Sequence, residues 1–138
     1  MGRCFLNVQA EAVRLLLAKA IQDELAACKL ADDPEVGDEI IGFHLQQAAE
    51  KRLKALLTFH GIPYRRTHDV LELLDLLITS GHPVPKTLEL LQEMTPFAVE
   101  YRYESPDQYE DAPLDRVRAL GLVAELEAWV KEQIREIT

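Results

Sequence analysis

The residues best suited to chemistry fall in two short stretches. One holds Gln46, Gln47, Glu50, Lys51 and Lys54. The other is Thr67-His68-Asp69, directly after Arg65-Arg66. Histidine titrates nearest neutral pH of the ordinary side chains. At a helix start, His68 can act as a general acid or base, or as an anion contact assisted by the N–H groups of the helix end. It can equally be a capping-region histidine that bonds only to nearby backbone. Glutamine carries donors and an acceptor on one flat amide, which suits a base edge or a buried polar network. Two adjacent glutamines are a poor choice for a face that meets only water, although a plain solvated helix face is the competing reading. Further along, Arg102 in Glu100-Tyr101-Arg102-Tyr103 can grip a phosphate bidentately. It can also pair with Asp69 or Glu50 and hold helices together.

Other catalytic patterns are missing. The chain has no P-loop, no Gly-rich dinucleotide fingerprint and no His-Glu-x-x-His. Ser80 and Ser105 sit in loops without a nucleophile-elbow context. Glu125, Glu127 and Glu132 lack a Glu-x-x-His companion, so a carboxylate di-metal bundle is not expected. Cys4 and Cys28 match no zinc spacing and are too few for a disulfide framework. Both are read as free thiols packed on the apolar side of the first helix. No cofactor or metal is expected, and a nucleotide is the one small ligand to consider.

The elements that must position these groups read as helices, with no convincing strand. The first runs from about Val8 to about Cys28, with Val8, Ala12, Leu15, Leu16, Ile21 and Leu25 at helical spacing. A polar loop with Pro34 and Gly37 follows. The second helix spans about Glu39 to Phe59. Its apolar stripe is Ile41, Leu45, Ala48, Ala49, Leu53 and Leu56, and at about 100° per residue His44, Gln47, Glu50, Lys51 and Lys54 gather on the other side. Gly61 and Pro63 stop it. The third starts with Thr67 as N-cap and continues to about Thr79, where Ser80-Gly81-His82-Pro83 ends it. The fourth runs from near Pro85 to about Tyr103, with Leu88, Leu91, Met94, Phe97, Ala98 and Tyr101 recurring and Pro96 as a kink or break. The last opens at Pro113 and runs to about Ile137. Val117, Leu120, Ala124 and Ala128 form one of its faces, and Leu126, Trp129 and Val130 another, which hints at packing on both sides. Helices with short connections predict an all-α, up-and-down antiparallel bundle.

Composition sets the outer bounds. The 138 residues suit one domain, residues 1–138, and 48% hydrophobic residues can fill a core. No apolar run approaches the roughly 18 residues of a membrane span, and the first residues carry no secretory pattern, so a cytoplasmic protein off the membrane is expected. The net charge of −9 disfavours general nucleic-acid binding. Local basic clusters remain at Lys51, Arg52 and Lys54, and at Arg65 and Arg66, and these are enough for a small anion.

The run Gln46-Gln47-Ala48-Ala49-Glu50-Lys51-Arg52-Leu53-Lys54-Ala55, with Thr67-His68-Asp69-Val70 and Arg102-Tyr103, resembles the HEPN domain family. These are small helical domains named for nucleotide binding in higher eukaryotes and prokaryotes. The family's usual forms are Gln-Gln-Ala-Ala-Glu-Lys-x-Leu-Lys-Ala, Thr-His-Asp-Leu and Ala-Arg-Tyr-Pro. Arg52 replaces the usual small residue, Glu100-Tyr101 replaces smaller ones, and Pro106 comes late. The resemblance covers roughly residues 8–105. It implies about five helices, a homodimer, a prokaryotic cytoplasm, and a minimal nucleotidyltransferase as partner in a toxin-antitoxin-like system. The function it favours is a non-catalytic nucleotide-binding or partner-binding subunit. Lys51, Lys54, Arg66, His68 and Arg102 would contact phosphate, with Asp69 beside them, while Gln47 and Glu50 orient the ligand or these cations. A ribonuclease toxin and a purely structural dimerisation module are the alternatives. Ribonucleolytic members carry an Arg, four to six residues, then a His, whereas Arg52 to His60 leaves seven between them. Arg65 and Arg66 lie too close to His68, and the later arginines have no His after them. The missing motif weighs against an enzyme, with His68 as the catalytic candidate if there is one.

Overall fold

The computed structural model describes residues 2–98 and 113–135, and of residues 2–6 the backbone alone. The order is α1 (Gly2–Leu30), α2 (Asp38–Phe59), α3 (Val70–Thr79), a 3-10 helix (Lys86–Phe97) and α4 (Arg116–Gln133). No strand occurs among the described residues, so the expected all-α helical bundle is what forms. No helix among them is long and apolar enough to cross a membrane.

Helix α2 is the centre. α1, α3, the 3-10 helix and α4 all pack on it, and 12 of its 22 residues are buried. The predicted stripe of Ile41, Leu45, Ala48, Ala49, Leu53 and Leu56 lies wholly in the core. Gly42 admits the Phe97 ring so closely that a Cβ there would lie 2.5 Å from it.

Partner contacts fix the directions. Gln9 of α1 donates to the carbonyls of Thr58 and Phe59, and Asp23 meets His44 and Lys51, so α1 runs antiparallel to α2. Arg116 reaches Asp38 and Arg52 faces Glu127, so α4 runs parallel to α2. Thr87 donates to Glu125 and Arg118 pairs with Glu93, which sets the 3-10 helix antiparallel to α4. The α2–α3 connection adds a detail to the up-and-down order. Residues 62–69 return in extended form along α2, bringing His68 back to Gln46 and Glu50. α3 then runs in the direction of α2, and His82 beyond its end stacks on His60 with ring centroids 3.7 Å apart.

Both helices stop in the same way. Gly61 (φ 70°) and Gly81 (φ 91°) take the left-handed conformation. Ile62 N donates to Leu57 O and Gly61 N to Thr58 O, while His82 N donates to Leu77 O and Gly81 N to Ile78 O. These are two Schellman motifs, in which glycine avoids the Cβ clash of positive φ.

Four sequence expectations need correction. α1 begins before Val8, and its face is rotated: Val13, Ala20 and Ala27, seven residues apart, are fully buried, while Val8, Leu15, Ile21 and Leu25 are 45–66% exposed. Small residues at that spacing let α1 and α2 approach closely. α3 is capped by Asp69, whose Oδ1 accepts from Leu71 N at 3.0 Å and Glu72 N at 3.4 Å. Thr67 instead accepts from Asp69 N at 3.1 Å, forming a turn ahead of the helix. The fourth helix is 3-10 rather than α. Its buried side chains Leu88, Leu91, Met94 and Phe97 recur every third residue, which is the 3-10 repeat and lines them up on one edge. Pro96 lies in its last turn, and the expected stretch to Tyr103 falls outside the described residues past Ala98. α4 starts at Arg116, not Pro113, because Asp115 caps it through Arg118 N at 3.1 Å. It buries Ala119, Leu122, Val123, Leu126 and Val130, whereas Val117 is 83% exposed. Its last helical residue is Gln133, and residues 136–138 lie outside the described residues.

Replacing Gly42 by Ala should destabilise the protein by about 1–3 kcal/mol through overpacking against Phe97. Val117→Ala should stay within about 0.5 kcal/mol of wild type. Urea unfolding midpoints compare the two.

Candidate functional site

The site is built on the polar side of α2 and roofed by residues 62–69. Its hub is Glu50, 4% exposed in the middle of the helix. A buried carboxylate is tolerated only when donors surround it. Glu50 Oε1 accepts from Gln46 Nε2 at 3.0 Å and from His68 Nδ1 at 2.8 Å, and Oε2 accepts from Lys54 Nζ at 2.9 Å. Gln46, Glu50 and Lys54 stand at four-residue spacing, so they form one ridge of the helix. Burial pushes the Glu50 carboxyl up, but donation from Lys54, Gln46 and His68 outweighs it and holds the group below its ordinary value.

The carboxylate sets the polarity of everything around it. An ionised Glu50 only accepts, so His68 donates to it from Nδ1, which leaves Nε2 for another partner. The His68 side chain is 34% exposed. Gln46 spends its amide N–H groups on Glu50 and on the His68 carbonyl, the latter at 3.1 Å. Its oxygen accepts from Gln47 Nε2 at 2.7 Å. Gln47 therefore keeps one N–H and its oxygen for another partner. Lys54 also lies 5.8 Å from the centre of the Tyr64 ring.

A second group lies beside the first. Asp23 of α1 accepts from Lys51 Nζ at 2.5 Å and meets His44 Nδ1 at 3.0 Å. The polar face predicted from sequence thus divides: Gln46, Gln47, Glu50 and Lys54 turn to residue 68, while His44 and Lys51 turn to α1. The fully solvated reading of this face does not hold, because Gln46 and Glu50 are buried.

The structure brings Gln47, Glu50, Lys54 and His68 into one network and sets Lys51 next to it. Arg66 is exposed on the same return segment, with no ion pair to the described residues. Asp69 caps α3 with one carboxylate oxygen and is not part of the network. Arg102 lies outside the described residues. Sequence reasoning placed Gln46 on the polar face but not in the site, and its four-residue spacing from Glu50 was the available signal. Asp23 gave no such signal, because its role depends on the α1–α2 register.

Arg52 and His60, the near-miss ribonuclease pair, share no partner. Arg52 is 2% exposed and faces Glu24 at 2.5 Å and Glu127 at 3.9 Å, away on the α1 and α4 side. Burial pushes the Glu24 carboxyl up despite the facing guanidinium. His60 stacks on His82, and burial followed by that neighbour lowers its pKa. Cys28 is exposed rather than packed, with its thiol pushed up by burial and by Glu24 and Glu127, so it is a weak nucleophile. The Cys4 side chain lies outside what is described. Among the described residues no group of three metal-ligating side chains comes together.

An all-helical bundle with a buried, donor-saturated glutamate on its central helix, facing a histidine from the next connection, defines a small helical domain with an organised polar surface. The HEPN domain family model matches residues 13–133, and the chain belongs to that family, broadly one of nucleotide-binding and ribonuclease-type domains. No curated protein and no solved structure matches it.

Glu50→Gln should cost about 2–3 kcal/mol, since Lys54 and His68 lose their charged acceptor. Because the folded pKa of Glu50 lies below the unfolded value, its contribution is present above about pH 4.5 and is lost as pH falls through the lower folded value. Wild type should show this acid-side loss in unfolding free energy, and Glu50→Gln should flatten it.

Proposed function

We propose that the chain is a non-catalytic HEPN subunit that binds a nucleotide, or a nucleotide-bearing partner, on the surface formed by α2 and residues 62–69. The observation that carries this reading is the Glu50 hub. It orients Lys54, His68 and, through Gln46, Gln47, at a surface where each keeps unused hydrogen-bonding capacity. Lys54 retains two N–H donors, His68 its Nε2, and Gln47 a donor and an acceptor. Arg66 adds an exposed guanidinium. Phosphate would meet Lys54, Arg66 and Lys51, and a base edge would meet Gln47. Since Glu50 and Asp23 already offset two of these charges, binding would be selective rather than tight. A minimal nucleotidyltransferase is the proposed protein partner, and a homodimer the proposed assembly.

A second reading draws on the His68–Glu50 pair. A carboxylate that orients an imidazole through Nδ1 leaves Nε2 for proton transfer. His68 would then act as the base of a phosphodiester cleavage. Loss of RNA cleavage in His68→Ala, with the fold intact, would support it.

Calorimetric titration with ATP, GTP and AMP tests the main reading. Saturable binding weakened about tenfold by Lys54→Ala and by Arg66→Ala is expected, roughly the value of one charge-assisted bond. Absence of heat with all three, or binding unchanged in both variants, would sink the nucleotide reading and leave the partner role to a pull-down with the nucleotidyltransferase.

A further inference from the structure

On the far side of α2 from Glu50, α1 and α4 both pack against α2 yet scarcely touch each other. Positions 50 and 52 differ by about 200° around the helix, so Arg52 points into that gap. The result is a cavity of about 300 Å³ between the helices. This is the lower end of the roughly 300–1,000 Å³ of small-molecule sites. Its walls are Leu17, Ala18, Ile21, Val130 and Ile134, and Arg52 and Glu127 also line it.

Charge distinguishes this cavity from a bare apolar face. Arg52 is already engaged by Glu24 and Glu127. Arg14 and Lys131, also lining the cavity, are exposed and form no ion pair with the described residues. Two cations without an ion pair among the described residues, beside apolar walls in a chain of net charge −9, favour an anionic head group on an apolar body. The walls contain no aromatic ring, and their branched apolar side chains suit an aliphatic body. A second copy whose two-fold axis passed through the groove would bring like charges at Arg14 and Lys131 together.

We propose that the α1–α4 groove binds a small aliphatic anion: a carboxylate held between Arg14 and Lys131, with its hydrocarbon tail against Leu17, Ile21, Val130 and Ile134. The site is independent of the Glu50 surface, and neither proposal depends on the other.

Decanoate, kept well below the concentration at which it forms micelles, is the probe, with decanol as its uncharged counterpart. Calorimetry should show saturable one-to-one binding of decanoate and at least about tenfold weaker binding of decanol, the loss of a charge-assisted contact. The Arg14→Ala/Lys131→Ala pair should weaken decanoate about tenfold or more and leave decanol unchanged. Ala18→Trp, at an exposed position that lines the groove, should abolish both while circular dichroism shows the helices intact. Equal binding of decanoate and decanol would overturn the anion assignment. No binding of decanoate, or binding that survives Ala18→Trp, would overturn the site, and light scattering showing a dimer that Ala18→Trp dissociates would give the groove to a second copy.

Discussion

A carboxylate inside a helical core must be answered by donors from more than its own helix. Glu50 sits where α2 is covered on nearly every side, and burying an isolated charge there would cost several kcal/mol. Gln46 and Lys54 supply two donors from the same helix. The third, His68, comes from the connection to α3. Meeting that demand holds residues 62–69 against α2 rather than letting them swing out as a hairpin loop. The Gln46 contact to the His68 carbonyl pins the same point twice. Once the segment is held there, α3 must begin beside the middle of α2 and run in its direction. Chain path and polar surface therefore share this contact, which adds to the packing of Ile62, Tyr64 and Val70 on the core.

Helix α2 carries two ion networks on opposite sides, and they differ in character. Around Glu50 the carboxylate is saturated and its pKa falls. Around Arg52 the facing Glu24 has its pKa raised, because burial outweighs the guanidinium. Glu24 Oε1 and Arg52 Nη1 lie at contact distance, yet neither makes an aligned hydrogen bond. The first arrangement fixes directions of donation and acceptance, whereas the second offsets charge without fixing geometry.

The α2 stripe, the Gly61 and Gly81 stops and the polar run around Glu50 were legible in the sequence, because each depends on residues within one or two turns. Spacing also announced the 3-10 helix through Leu88, Leu91, Met94 and Phe97, but a repeat of three over four positions is easily taken for the apolar edge of an α-helix. The rotation of α1 was hidden for a different reason. Four of its large apolar residues, Val8, Leu15, Ile21 and Leu25, are on the outside, and its fully buried seam is Val13, Ala20 and Ala27 with Leu16 and Leu17 at the edge, so side-chain size pointed to the wrong face. The capping role of Asp69 was hidden by Thr67, an equally good cap residue two positions earlier. The contact between Glu50 and His68 could not be read at all, because 18 residues and a change of direction separate them.

In a bundle whose helices alternate, every helix end lies at one pole or the other. Here α3 begins partway along α2, so the partial positive charge of its N-terminus opens at the waist of the molecule. Asp69 occupies that position with its own carboxylate, bonded to Leu71 N and Glu72 N. The chain thus supplies its own anion at the helix start that, among the described residues, borders the polar surface. An incoming phosphate would have to settle on the side chains nearby, or compete with a tethered carboxylate for the same backbone groups.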